Sequence, residues 1–303
     1  MAIATGAVEA IIVDVQCILP SLVTLAGCFH TKFITTSPKA KFTGATHIEF
    51  DEKRAYEIAK QIVRAAVENY RFRKPGQVHI PAVKTDCMVG FSVEAIVQAL
   101  GGSLTPLIDA IAKKQICGIA AVVGCNNPKI QHDYGHTNLV KELVKRDILV
   151  LSTGCNAIAC AKVGLMLPEG AELAGSGLRA VCQALGIPPV LHMGSCVDNS
   201  RVLTACAAVA NAMGVDISDL PIAAAAPEWM SEKAVAIGTY VVASGVFTVL
   251  GLLPPILGGP AVTDLLTNGA EGGDRKSRRI RRRPPTAGSC SEPPSCCSLL
   301  PCW

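Results

Sequence analysis

Apolar positions along the chain follow two recurring patterns. Short continuous runs predict buried strands, and runs spaced at three and four residues predict helices. Residues 8–16 read as a strand ending at Cys17, and residues 32–36 as a second. Residues 52–69 have helical spacing, with Ala55, Ile58, Ile62 and Ala66 on one face. Residues 77–80 predict a short strand, and 92–100 a helix stopped by Gly101 and Gly102. From about residue 118 the alternation is regular. A strand runs to Cys125, a helix follows at 137–146, a strand runs to Cys155, and helices follow at 156–165 and 171–185. A strand then runs to Cys196, a helix spans 198–213, and an apolar run at 220–225 precedes the helix containing Lys233. Strands alternating with helices predict an α/β fold of two doubly wound, Rossmann-like parallel-sheet domains. Residues 1–120 are expected to form the first, incomplete domain and residues 121–270 the second.

Residues 234–266 carry a single charge, Asp264, which raises the question of a membrane span. Gly238, Gly245, Gly251 and the pair Pro254-Pro255 divide the segment, so a buried helix followed by a central strand is expected instead. The last 33 residues differ in kind. Residues 271–303 hold seven Lys/Arg against three Asp/Glu, which accounts for the whole net charge of +4, and their Pro, Ser and Cys content has no periodicity. They are expected to be a disordered basic tail outside the native fold. The rest of the chain is electrically balanced and offers no electrostatic argument for nucleic acid. There is no basic, apolar amino-terminal leader, so a cytoplasmic setting is expected.

The chain has 14 cysteines. A disulfide scaffold is excluded by length and strong patterning, because such scaffolds are short and loop-rich. Cys28, Cys87, Cys117, Cys182 and Cys206 read as small core hydrophobes, and Cys160 as core beside a site. Cys17, Cys125, Cys155 and Cys196 share another address: each follows an apolar run where a strand hands over to a helix. Sites in α/β folds are built at the carboxyl ends of strands, and thiolates select iron–sulfur clusters, zinc and other soft metals. Their spacings of 108, 30 and 41 residues exclude a local zinc-ribbon or ferredoxin pattern. Spacing permits a centre assembled from several loops but does not establish one.

The flanking motifs are more specific. They are Asp14-Val15-Gln16-Cys17, His30-Thr31-Lys32-Phe33, Gly124-Cys125-Asn126-Asn127-Pro128, Asp133-Tyr134-Gly135-His136, Thr153-Gly154-Cys155-Asn156-Ala157 and His192-Met193-Gly194-Ser195-Cys196-Val197-Asp198-Asn199. Over about residues 8–265 the chain closely resembles the nickel-containing carbon monoxide dehydrogenase family. The resemblance implies reversible oxidation of CO with water to CO2, two protons and two electrons at a Ni–Fe–S cluster. It assigns Cys17, Cys125 and Cys155 to iron and Cys196 to nickel. Lys233, in Pro227-Glu228-Trp229-Met230-Ser231-Glu232-Lys233, matches the lysine that faces substrate, and Ile237 matches an apolar residue of the gas pocket. His136, His192, Asp198 and Asn199 are candidate supporting donors, with a satisfied structural role as the alternative for each. The resemblance further implies a homodimer and a ferredoxin-type electron carrier.

Three departures bear on activity. The family's amino-terminal helical domain, which binds additional 4Fe–4S clusters, has no counterpart in this sequence. The histidine and further cysteine that hold the family's exposed iron are not matched, nor is its proton-relay histidine. The chain is therefore expected to be a carboxy-terminal piece of the enzyme. The alternatives are a non-catalytic fragment holding an incomplete cluster, or a relative of the hybrid-cluster reductases.

Overall fold

The computed structural model describes residues 2–16 and 18–268. Cys17 and the predicted basic tail lie outside the described residues. The chain divides into two compact units, Met1–Lys84 and Thr85–Trp303.

The first unit contains β1 (Ala10–Val13), α1 (Leu22–Gly27), β2 (Lys32–Thr35), β3 (Thr46–His47) and α2 (Ala55–Asn69). Its three strands are parallel, in the order β1-β2-β3. Neighbouring residues of β2 face opposite sides, as the two-residue period of a strand requires. Phe33 packs with Ile3, Val13 and Ala26, whereas Ile34 packs with Ile58 and Ile62 of α2. The end of α2 is tied to the sheet by buried Asn69, whose amide donates to the carbonyls of Glu9 (2.8 Å) and His30. The strand expected at 77–80 does not form. Pro75–Gln77 is a 3₁₀ turn, and the following segment makes one ladder-like bond, from His79 N–H to the Thr5 carbonyl (2.8 Å). Prolines at 75 and 81 bracket a run too short to pair.

The second unit opens with α3 (Val93–Ala99) and α4 (Thr105–Ala112). It continues through β4 (Gly118–Val122), α5 (Tyr134–Val144), β5 (Ile148–Thr153), α6 (Gly154–Lys162), α7 (Ser176–Leu185), β6 (Val190–Gly194) and α8 (Asn199–Met213). It closes with β7 (Ile222–Ala226), α9 (Glu232–Ala243), β8 (Phe247–Leu250) and α10 (Pro260–Asn268). All five strands are parallel, in the order β6-β5-β4-β7-β8. The chain therefore builds outward from β4 in one direction, then returns and builds in the other. Val122, Val150 and Val190 of three adjacent strands are fully buried, with Val140, Val144 and Leu178 from the covering helices. This all-round burial explains why the strands read as continuous apolar runs.

The division between units differs from the boundary near residue 120 expected from the alternation. Phe91, Val93, Ile96, Leu107 and Ile111 pack against the core of the second unit. Met88 N–H also bonds to the Met166 carbonyl (2.8 Å), and Val89 bridges to His192. An amphipathic segment joins the core that its apolar face contacts, whichever strand follows it in sequence. β8 also departs from expectation: it is an edge strand paired with β7 alone, and its residues are half-buried. The preceding α9 has 12 residues, none fully buried. Among the described residues no helix is long and apolar enough to cross a membrane.

The cysteines sort by environment. Cys160, Cys182 and Cys206 are buried in the second core, whereas Cys28 and Cys87, expected in the core, are exposed. Cys117, expected as a plain thiol, is disulfide-bonded. Burial pushes the Cys160 thiol up to about 12, with the Asp133 carboxylate adding to the shift. Burial likewise pushes Cys182 and Cys206 up to about 11. These thiols stay neutral in the fold while their unfolded counterparts ionise near pH 9. Their contribution to stability is therefore complete below about pH 9 and declines as pH rises toward 11 or 12. Urea midpoints are expected to be level between pH 7 and 8.5 and to fall between pH 9 and 11. Cys182→Ala and Cys206→Ala should each flatten that fall.

Candidate metal centre

Three of the four strand-end thiols lie in the described second unit, at one edge of its sheet. Each follows a glycine in the left-handed or a neighbouring positive-φ region. Gly124 (φ 111°) precedes Cys125 after β4, Gly154 (φ 59°) precedes Cys155 after β5, and Gly194 (φ 129°) precedes Ser195-Cys196 after β6. A side chain would strain each of these turns. Gly154 has a second reason to lack one. A Cβ there would overlap the Cys196 sulfur and would lie 3.6 Å from the Gly124 carbonyl. The three turns are thus packed against one another, and the bare Cα of Gly154 is where they meet.

The crevice of an open α/β sheet lies where the strand order reverses. Here that is between β4 and β7. A narrow cavity with about 30 Å³ of free volume sits there, lined by Cys125, Cys196, Lys233 and Ile237 together with Val123, Ala226, Val241 and Leu250. Its free volume suits one or two water-sized molecules and excludes an ordinary metabolite. The structure therefore brings together four residues singled out in the sequence. Cys155 is not on the cavity wall. It occupies the second position of α6, at the helix N-terminus.

Hydrogen bonds fix the ligand turns. Buried Asn156 donates to the Val122 carbonyl (2.8 Å) and to Ser152 Oγ (2.6 Å), joining the ends of β4 and β5. Thr153 Oγ1 donates to Asn199 Oδ1 (2.6 Å). Asp198 caps the turn holding Cys196, accepting from Ser195 N–H (2.8 Å) and Ser195 Oγ (3.0 Å). The backbone bond from Ser195 holds the Asp198 carboxyl below its ordinary value, with Arg201 adding to the effect. Asp133 links the Cys125 loop to α6 through Asn126 Nδ2 (2.6 Å) and Lys162 Nζ (2.7 Å). Burial works to raise the Asp133 pKa, but the bonds from Lys162 and Asn126 outweigh it and hold it low.

Among the candidate supporting donors, Asp198 and Asn199 thus brace backbone turns. His136 Nε2 lies 2.8 Å from the Cys125 carbonyl and so holds the ligand's main chain. His192 contributes its carbonyl, to Phe91 N–H (3.3 Å). Ser231, not singled out in the sequence, lies closer to the thiol. Its Oγ accepts from Ala234 N–H (3.3 Å) as the cap of α9 and sits 3.5 Å from Cys125 Sγ. Either the hydroxyl or the thiol can donate in this contact. A capping serine before a helix was legible, but its thiol neighbour, 106 residues away, was not.

Lys233 stands at the second position of α9. A cation there opposes the helix dipole, and an anion in the adjacent cavity would offset that cost. Two thiols on the same wall would supply negative charge once ionised. Among the described residues, no three His, Cys, Asp or Glu side chains are grouped tightly enough to hold a single ion. Thiols at successive strand ends suit the soft metals that thiolates select, iron–sulfur clusters among them.

The second unit is thus an all-parallel sheet with thiols at three strand ends, two of which share the switch-point cavity with Lys233. Residues 1–280 match the Prismane/CO dehydrogenase family, and the chain belongs to that family. It is 68% identical over 272 residues to carbon monoxide dehydrogenase 1 of Methanosarcina acetivorans, covering 90% of this chain and 43% of that relative. It is 50% identical to the carbon monoxide dehydrogenase of Rhodospirillum rubrum, covering 89% and 44%. The crystal structure of a nickel-free carbon monoxide dehydrogenase from Thermococcus sp. AM4 superposes with a TM-score of 0.81 at 62% identity, covering 88% of this chain and 42% of that one. The chain thus spans less than half the length of these relatives.

Gly154→Ala is expected to push the Cys196 sulfur out of the cavity and to destabilise the fold by about 1–3 kcal/mol, the usual range for overpacking. Urea unfolding and residue-resolved thiol labelling would check this. Cys196 should label faster, and Cys182 should remain protected.

Proposed function

We propose that this chain carries the thiolate face of the Ni–Fe–S centre of a carbon monoxide dehydrogenase, interconverting CO and water with CO2, two protons and two electrons. One observation carries the reading: Cys125, Cys196, Lys233 and Ile237 line one cavity of about 30 Å³ at the switch point. Cys196 is assigned to nickel, and Cys125, Cys155 and, by resemblance, Cys17 to iron. When bound, the cluster supplies a soft metal for CO and the Lewis acidity that activates water.

The protein's own groups do the rest. The thiol turns, locked by Asn156, Asp198 and His136, set where the cluster is held. Ser231, 3.5 Å from the Cys125 sulfur, holds that side chain in place. The Lys233 ammonium stabilises negative charge developing on the substrate oxygens. Ile237, Val123 and Leu250 keep the cavity wall apolar. Electrons leave to a ferredoxin-type carrier in the cytoplasm, and the whole enzyme is a homodimer with further 4Fe–4S clusters.

A second reading is a chain that binds an incomplete cluster without turnover; it is favoured by the cavity wall, which among the described residues holds only two of the thiols, Cys125 and Cys196. Anaerobic reconstitution with iron, sulfide and nickel, followed by CO-dependent viologen reduction, separates the two. Turnover that falls about 10²–10³-fold in Lys233→Ala, with metal content unchanged, is expected for the enzyme. Cys196→Ala should lose nickel while retaining iron. Metal uptake without turnover in the unsubstituted chain would leave only the fragment.

A further inference from the structure

Glu228 is completely buried, and so is His136 beside it. Among the described residues no lysine or arginine pairs with this carboxylate. The His136 ring lies beside it, with Oε2 at 3.9 Å from Nε2. A buried carboxylate without a strong cationic partner is costly, so its hydrogen bonds need to account for it. Oε1 accepts from the N–H groups of Gly135 (2.7 Å) and His136 (3.3 Å), in the first turn of α5. The helix dipole favours a carboxylate in that position. The fit is close: a Cβ on Gly135 would lie 3.1 Å from Oε1 and 3.2 Å from Cγ. The pinned helix turn in turn aims the His136 ring at the Cys125 carbonyl.

The same short segment reaches Cys125 from its other end. Three residues after Glu228, the Ser231 hydroxyl is 3.5 Å from the Cys125 sulfur. Between them, the Trp229 carbonyl accepts from Asn127 Nδ2 (3.3 Å), two residues past Cys125, and Trp229 Nε1 is anchored on the Leu252 carbonyl (2.8 Å). Residues 228–231 therefore clamp the Cys125 loop by its carbonyl, its sulfur and its following turn.

We propose that Glu228 is a positioning residue: acting through α5 and His136, it fixes the carbonyl, and with it the thiol, of Cys125. The proposal rests on the assignment of Cys125 as a cluster ligand, but its test needs no metal. The full chain, kept anaerobic and metal-free, is labelled with iodoacetamide and the rate at each cysteine is read by mass spectrometry. In Glu228→Ala, Cys125 is expected to label about tenfold faster, while Cys160 and Cys182 stay protected. Glu228→Gln keeps an acceptor oxygen and should label like the unsubstituted chain. His136→Phe keeps a ring in the buried site but has no N–H for the Cys125 carbonyl, and it should reproduce the Ala effect. Because the two residues act in series, the double variant should label no faster than the faster single variant. An unchanged Cys125 rate in a folded Glu228→Ala or His136→Phe chain would overturn the proposal, as would additive effects. If Glu228→Ala exposes Cys182 and so has unfolded, the His136→Phe comparison decides. Failure of the unsubstituted chain to take up iron would sink the cluster reading and leave the labelling result standing.

Discussion

The site depends on one steric constraint: the turns after three strand ends must pack directly against one another. Position 154 is where that constraint is tightest. The Cys196 sulfur occupies the space that any side chain there would need, with the Gly124 carbonyl just beyond it. The parallel sheet delivers β4, β5 and β6 to the same edge, and the glycines let each chain turn sharply. Without the sheet the thiols would be scattered over 71 residues of sequence, and without the glycines the turns would clash.

A second layer of polar bonds sets what the thiols can do. Asn156 joins two strand ends, Asp198 closes the Cys196 turn, and Asp133 ties the Cys125 loop to α6. The segment from Glu228 to Lys233 spans the cavity from the far side of the switch point. It braces Cys125 at one end and presents an ammonium at the other. The brace on Cys125 and the cavity-lining Lys233 are therefore built on six consecutive residues. A small displacement of β7 would disturb both.

The strand-end reading of Cys125, Cys155 and Cys196 came from apolar runs and turn residues, and the structure places all three at those turns. Lys233 and Ile237 line the same cavity, because a four-residue interval on a helix puts both on one face. The domain boundary was less visible. Residues 85–117 look like the end of one domain in sequence, yet their apolar faces pack on the second core. Exposure of Cys28 and Cys87 was likewise invisible, because a lone cysteine carries no mark of which side of a surface it occupies.

The sequence by itself determined the alternation of strands and helices, the parallel α/β class and the thiols at the strand ends. These are local properties: period, run length and turn chemistry act over a few residues. Only the tertiary structure decided that β4 and β7 are neighbours, that the cavity opens between them, and that Ser231, His136 and Glu228 attend Cys125. Those contacts join residues about 10 to more than 100 positions apart. They follow from strand order, which is set by the packing of the whole sheet and leaves no periodic trace in the chain.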